Sequence, residues 1–343
     1  MIVKEIHGYN FNDTKGGLIL KIYYIDITDD LTSFEFYNNL LDKIKMLRFY
    51  NDIEGIVLDF SRTYKVEPLV IPNLLCLGYI IRVLFKVTPV IRIPDTSTAG
   101  PLKKYLDSIG FISLAKKYNL YEFESSPYGG MEGKTIDPLC ATLFFNSAES
   151  IDNITRGVEY YIKPFTEEYL GNFNIGLIQS FYNEQYNSYS NEITQFLQEI
   201  ILNCQKHARS FSFTTLHAKH SNKMIYISVS DCGCGFLKSI LNRNDESNQL
   251  MKNPENELQA IMIGVYKRKD SKIYGLYNVI KRTIELNGKV RIHSNNTQVI
   301  FTPRIKIDFT NQNLLSNQKF YKYNVKDNIE FAGVHIEIEI PFI

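Results

Sequence analysis

The segment QEIILNCQKHA, residues 198 to 208, places Glu199, Asn203 and His207 four residues apart inside an apolar run. That interval lines an acid, an amide and an imidazole along one side of a helix. Ile200, Ile201 and Leu202 occupy much of its remaining surface. Downstream, KMIYISVSDCGCGF (223–236) alternates Ile225, Ile227 and Val229 as a half-buried strand does, then ends in Asp231-Cys232-Gly233-Cys234-Gly235. An Asp at a strand end followed by two glycines offers a fixed carboxylate acceptor beside backbone that lacks a Cβ. Such a site suits a flat ligand with an exocyclic amino group, such as adenine. Taken alone, the pattern is more often a plain acid-and-glycine turn. A third element is SKIYGLYNVIKRTIELNGKVRIHS (271–294), where Gly275-Leu276 opens an amphipathic helix through Tyr277, Ile280 and Ile284. A glycine just before a helix can bring backbone N–H groups and the positive dipole end to phosphates. Asn287-Gly288 then makes a turn into the strand KVRIHS.

These elements must be positioned by a chain of 343 residues, long enough for two domains with cores of their own. The apolar fraction of 44% and charged fraction of 22% are those of a globular protein. A net charge of +1 excludes the strong basic field of a general nucleic-acid binder. The five cysteines are dispersed, and Cys232-Gly-Cys234 is too tight for the usual zinc or redox C-x-x-C spacing, so reduced thiols are expected. The opening MIVKEIHGYNFNDTK lacks signal-peptide architecture. Pro72 and Arg82 interrupt the longest apolar stretch. A cytoplasmic protein without a membrane span is therefore expected.

Strand and helix signals alternate through the first 125 or so residues: strands at 18–27, 53–60 and 88–93, and NLYEFE as the last. Helices are expected at 32–49, with Thr32 as N-cap and Glu35 three residues on, through VIPNLLCLGYIIRVLF, and at 100–118 with a break near Gly110. This is the pattern of an α/β layer domain, residues 1–128. The glycine-rich SSPYGGMEGK lies at the junction, giving a linker at 129–138 and a second domain at 139–343.

The order E-x-x-x-N-x-x-x-H-A, D-x-G-x-G, G-L at a helix start, then N-G and a strand resembles the GHKL ATPase superfamily over roughly residues 139–343. Within it, the short strand and helix before the first motif look most like the anti-sigma-factor serine kinases. The resemblance implies an α/β sandwich, a mixed sheet with helices on one face, binding ATP and Mg²⁺ under a lid. By that resemblance Asn203 would hold the Mg²⁺, and Glu199 would orient or deprotonate the attacking water or hydroxyl. His207 would lie near the phosphates, and Asp231 would accept the adenine amino group. Gly233 and Gly235 would shape the pocket, with Gly275 and Leu276 under the phosphates. The segment between Gly235 and Gly275, rich in Asn, Asp, Glu and Ser, would be a mobile lid. Gly333 would mark the start of the closing strand. Ile273 stands where the family's G-x-G-L has its first glycine, which bears on turnover more than on binding. His7 is the only histidine before His207 and does not lie in a helical pattern, so autophosphorylation on histidine is not expected.

The first domain resembles, more loosely, a STAS domain, in element order and in YLDSIGF (105–111). Where the STAS antagonists carry a phosphorylatable Ser, this chain reads SRTYK, with Ser61 and Thr63 nearby. The whole is thus expected to be an Mg-ATP-binding regulator, a protein Ser/Thr kinase of anti-sigma type or an ATPase switch. The alternative is a nucleotide-sensing module that signals without turnover. A protein partner is expected through the STAS-like domain, no nucleic acid or membrane, and a homodimer is left open. His217, His220, His293 and His335 are assigned no role, and Lys267-Arg268-Lys269 is taken as a solvated face.

Overall fold

Parallel strands cannot be joined by tight turns, and the first part of the chain supplies a helix for each crossover. The computed structural model describes residues 21–93, 100–124, 139–146, 149–150, 152–160, 194–204, 208, 210–219, 222–242, 254–265, 276–304 and 318–341. The chain divides into two compact units, Met1–Lys134 and Thr135–Ile343. In the first, β1 (Ile22–Asp26), β3 (Gly55–Asp59), β5 (Val90–Arg92) and β6 (Glu122–Phe123) form one sheet in that order, parallel throughout. A separate parallel ladder joins β2 (Asp30–Leu31) to β4 (Lys65–Val66). The crossover helices are Ser33–Glu35 continuing through a π-helical Phe36–Leu40 into Leu41–Leu47, then Val70–Phe85, then the pair Gly100–Ser108 and Phe111–Lys117. Thr32 caps the first of them, its Oγ1 accepting from the Glu35 amide at 3.2 Å. Gly110, at φ 78°, makes the break between the last two. Ile56, Val57 and Leu58 are buried in succession, as in a strand covered on both faces.

Ser61 and Thr63 follow β3. The Ser61 amide donates to Asp59 Oδ1 at 2.8 Å, and its hydroxyl donates to the same oxygen. Thr63 is buried, donating to the Thr28 carbonyl at 2.9 Å. Of the two, only Ser61 is exposed.

The second unit is built on a seven-stranded sheet. Its strands are β7 (Leu139–Phe145), β8 (Ser212–Lys219), β9 (Met224–Asp231), β10 (Lys289–Ser294), β11 (Thr297–Phe301), β12 (Val325–Asp327) and β13 (Val334–Pro341). The spatial order is β12-β11-β10-β13-β9-β8-β7. The expected mixed sheet is corrected here, because every registered pairing among the described strands is antiparallel. The reason lies in β13. β9 and β10 run in the same direction, and β13 inserts between them, antiparallel to both.

Alternation along the strands separates two faces. Ile225, Ile227 and Val229 of β9, Val290 and Ile292 of β10, and Ile336, Ile338 and Ile340 of β13 share one core with the helices. Ile154 and Val158 join it from helical residues 152–160, and Phe196, Leu197, Ile200 and Ile201 from the helix at 194–203. The opposite face is polar yet also buried. Thr215, Ser228, Glu337 and Arg291 follow one another across four strands. Arg291 and Glu337 form an ion pair within this row, and Thr215 shares a 2.9 Å hydrogen bond with Thr142 of β7. A buried charge pair of this kind holds only while both partners are present.

The stretch between Gly235 and Gly275 is not uniformly poor in apolar surface, as a mobile lid would be. Helix Gly235–Leu241 opens it, and helix Glu257–Val265 sends Leu258, Ile261, Met262 and Val265 into the core. Residues 243–253 and 266–275 lie outside the described residues. The expected linker, 129–138, lies outside them too. No helix among the described residues is long and apolar enough to cross a membrane. Cys76, Cys204, Cys232 and Cys234 are free thiols.

Candidate functional site

The helix at 194–203 sets Glu199 and Asn203 one turn apart, and the two side chains meet. Asn203 Nδ2 donates to Glu199 Oε1 at 2.8 Å. The carboxylate thereby takes the donor end of the amide, which leaves Asn203 Oδ1 as the end suited to a hard cation. The next residue, Cys204, turns toward the core, 5% exposed. It faces the carboxylate of Asp231.

Asp231 ends β9 and is 1% exposed. Its Oδ1 accepts from the Gly233 amide at 2.7 Å and from the Val334 amide at 3.2 Å. Its Oδ2 is buried, and among the described residues no N–H or O–H reaches it. Burial lifts the carboxyl to about 6, against the pull of the Gly233 amide, the Cys204 thiol and the Val334 amide. A thiol is a weak donor, so a buried oxygen served by no N–H or O–H still gains when a stronger donor arrives.

The two glycines of the motif serve packing. A Cβ on Gly233 would overlap that of Ala208 and lie 2.7 Å from its carbonyl oxygen. Ala208 is thus pressed directly onto the Asp231 turn. Gly235, at φ 77°, sits where a Cβ would overlap the Asn295 amide and approach Glu257 Oε1 to 2.9 Å. Leu276 begins helix Leu276–Glu285 and is buried in the same core as Cys204 and Val229. His207 and Gly275 lie outside the described residues.

Four further residues support this arrangement, and of them only Gly333 stands out in the sequence. Gly333 packs its backbone on the Asp231 carbonyl. Asn295 joins the Cys234 carbonyl to the Gly333 amide. Glu257, 5% exposed, accepts from the Phe236 amide at 2.7 Å and the Leu237 amide at 3.2 Å, and also from Ser294 Oγ. His335, cross-strand from His293, stacks on Phe331 at 4.0 Å between ring centroids.

Both histidines are fully buried. Burial brings His293 down to about 4 and His335 well below its ordinary value. Each is therefore neutral in the fold and takes up a proton more readily when unfolded. Their contribution to stability is intact at neutral pH and is lost as pH falls from about 6.5 toward 4. For His293 the span is about 3 kcal/mol, taking 1.36 kcal/mol per pH unit. Asp231 works in the opposite sense. Its folded-state value is raised, so its burden is absent near pH 4 and complete above about 6. Urea denaturation between pH 4 and 7 is expected to show a shallow loss toward acid in the wild type. Asp231→Asn removes the opposing slope, and its loss is expected to be steeper. Parallel slopes in the two proteins would contradict this balance.

No group of three or more His, Cys, Asp or Glu that could hold a metal occurs among the described residues. Asn203 Oδ1 is an oxygen donor of the type a hard cation takes. A scan against protein-family models finds no match to this chain, and a search of curated proteins finds none either.

Proposed function

We propose that the second unit binds Mg-ATP at a GHKL-type site and that the chain is an ATP-dependent regulator. The observation that carries this reading is the open Oδ2 of Asp231. It is a buried carboxylate oxygen at a strand end, its partner oxygen already held by two amides. The adenine amino group is a donor of the kind this oxygen lacks. Glu199, one turn before Asn203, would orient or accept the proton of the nucleophile, and Asn203 Oδ1 would hold the Mg²⁺. ATP itself supplies the transferable phosphoryl group, and such transfer rests mostly on positioning and charge stabilisation.

Glu199 favours turnover, as a protein Ser/Thr kinase of anti-sigma type or an ATPase switch. Ile273 in place of a glycine favours the second reading, a nucleotide sensor that signals by conformation. The first unit, a parallel sheet with crossover helices, would act as a STAS-like platform for a protein partner in the cytoplasm. Incubation with Mg²⁺ and γ-labelled ATP, with and without co-purifying proteins, separates these outcomes. Label on a partner supports the kinase, free phosphate the ATPase, and binding without either the sensor.

Base selectivity tests the site itself. Guanine presents an oxygen where adenine presents an amino group, so GTP would set two acceptors against each other. The mismatch amounts to roughly 1–3 kcal/mol, so ATP is expected to bind on the order of tenfold, between about 5-fold and 150-fold, more tightly than GTP. Asp231→Asn keeps the acceptor for Gly233 and Val334 and turns Oδ2 into a donor. ATP affinity should fall sharply and the preference narrow, with the circular dichroism unchanged. Equal binding of ATP and GTP by the wild type would remove the anchor of the nucleotide reading.

A further inference from the structure

The Asp231 carboxylate is gripped by two amides from segments far apart in the sequence, Gly233 beside it and Val334 at the start of β13. One side chain ties the residues next to those two amides. Asn295 Nδ2 donates to the Cys234 carbonyl at 3.1 Å, and Asn295 Oδ1 accepts from the Gly333 amide at 3.2 Å. Its backbone repeats the tie, with its amide donating to the Gly333 carbonyl at 3.1 Å and its carbonyl accepting from the Phe331 amide at 2.6 Å. Asn295 occupies the turn between β10 and β11 at φ 50°, a left-handed position that asparagine tolerates. Glu257 Oε2 lies 3.3 Å from Nδ2 and takes its second proton, which fixes which end of the amide faces Cys234. Gly235 has no Cβ, and that absence is what lets the amide through.

We propose that Asn295 is a positioning residue for the nucleotide site: by spanning Cys234 and Gly333 it fixes where the Asp231 carboxylate stands, and so sets the selectivity for the base. This rests on the nucleotide reading above. A carboxylate free to shift or rotate could present either oxygen at several distances, and a water could then fill the gap opposite a guanine oxygen. Held from both sides, it offers one acceptor in one place.

Asn295→Gly is the informative substitution, because glycine keeps the left-handed turn and its backbone bonds while deleting only the side-chain tie. ATP affinity is expected to fall roughly tenfold with GTP affinity nearly unchanged, so that the preference approaches unity. Glu257→Gln sets an amide N–H against Asn295 Nδ2 and is expected to narrow the preference by about threefold. It serves if the glycine variant does not fold. A merely structural Asn295 would weaken both nucleotides together and leave their ratio intact, which would overturn the proposal. A second arm uses no nucleotide. In the ligand-free protein, amide exchange at Gly233 and Val334 is expected to quicken by about tenfold in Asn295→Gly, with Ile338 at the centre of β13 unchanged. Unchanged exchange at those two amides overturns the proposal whatever the nucleotides do. A wild type that binds neither ATP nor GTP instead overturns the functional reading, and the exchange arm then decides the role of Asn295 by itself.

Discussion

Exchange of Glu199 for alanine is expected to leave ATP affinity within about twofold while lowering turnover by roughly 10²–10⁴, the range of a positioned general base. The carboxylate acts on the nucleophile and makes no bond to the nucleotide in this reading. It does, however, hold the Asn203 amide through the 2.8 Å bond to Oε1. Alanine releases that amide, so part of any loss could pass through the cation ligand. Glu199→Gln separates the two routes. Glutamine still accepts from Asn203 Nδ2 but cannot take a proton at neutral pH. Both variants should lose turnover, and only the alanine variant should need more Mg²⁺ to reach half-saturation. Turnover that survives in both variants would take the base role away from Glu199.

The second large effect is expected at Gly333. Its φ of 98° lies in the region open to glycine, and a Cβ there would overlap the Asp231 carbonyl oxygen and sit 2.8 Å from its carbon. The obstacle is the backbone of β9 rather than a movable side-chain tip, so β13 would have to swing away from its partner. Strain of about 1–3 kcal/mol from the backbone conformation adds to about 1–3 kcal/mol from overpacking. Gly333→Ala is thus expected to lose about 3–5 kcal/mol, a large share of the stability of an ordinary domain. Gly100→Ala is the matched control, since nothing lies within 4 Å of a Cβ there. It should be neutral or slightly stabilising in the same denaturation measurement. Equal midpoints for the two variants would contradict the packing of Gly333 on Asp231.

Elements governed by local signals were legible in the sequence. The Thr32 cap, the Val70–Phe85 helix and the break at Gly110 each depend on a few neighbouring residues. Position in the sheet was less legible. The bond from Val334 to Asp231 spans 103 residues, and no periodicity reports such a distance. The mixed sheet was what the family resemblance implied, and only the pairing of β13 with both β9 and β10, which run in the same direction, makes the described ladders antiparallel. The residues supporting the site divide in the same way. Asn295-Asn296 between two strand patterns is a hairpin signal that could have brought Asn295 forward. Glu257 gave no such sign, being one acid among many in a polar stretch. In the sequence His293 and His335 carry no sign of burial, but the sheet buries its polar face as well as its apolar one.

The insertion of β13 has a consequence for the order in which the chain can be completed during synthesis. When the ribosome has delivered β7 through β12, the strands β9 and β10 have each been made, but the strand that joins them has not. Until Val334–Pro341 emerges, the sheet exists as two halves with bare inner margins, each bearing unpaired N–H and C=O groups. Assembly must therefore wait for one late strand to close two long-range ladders at once, a slow step of high contact order. A nascent chain stalled before residue 334 would expose both margins to other chains, and such species are the ones chaperones must shield.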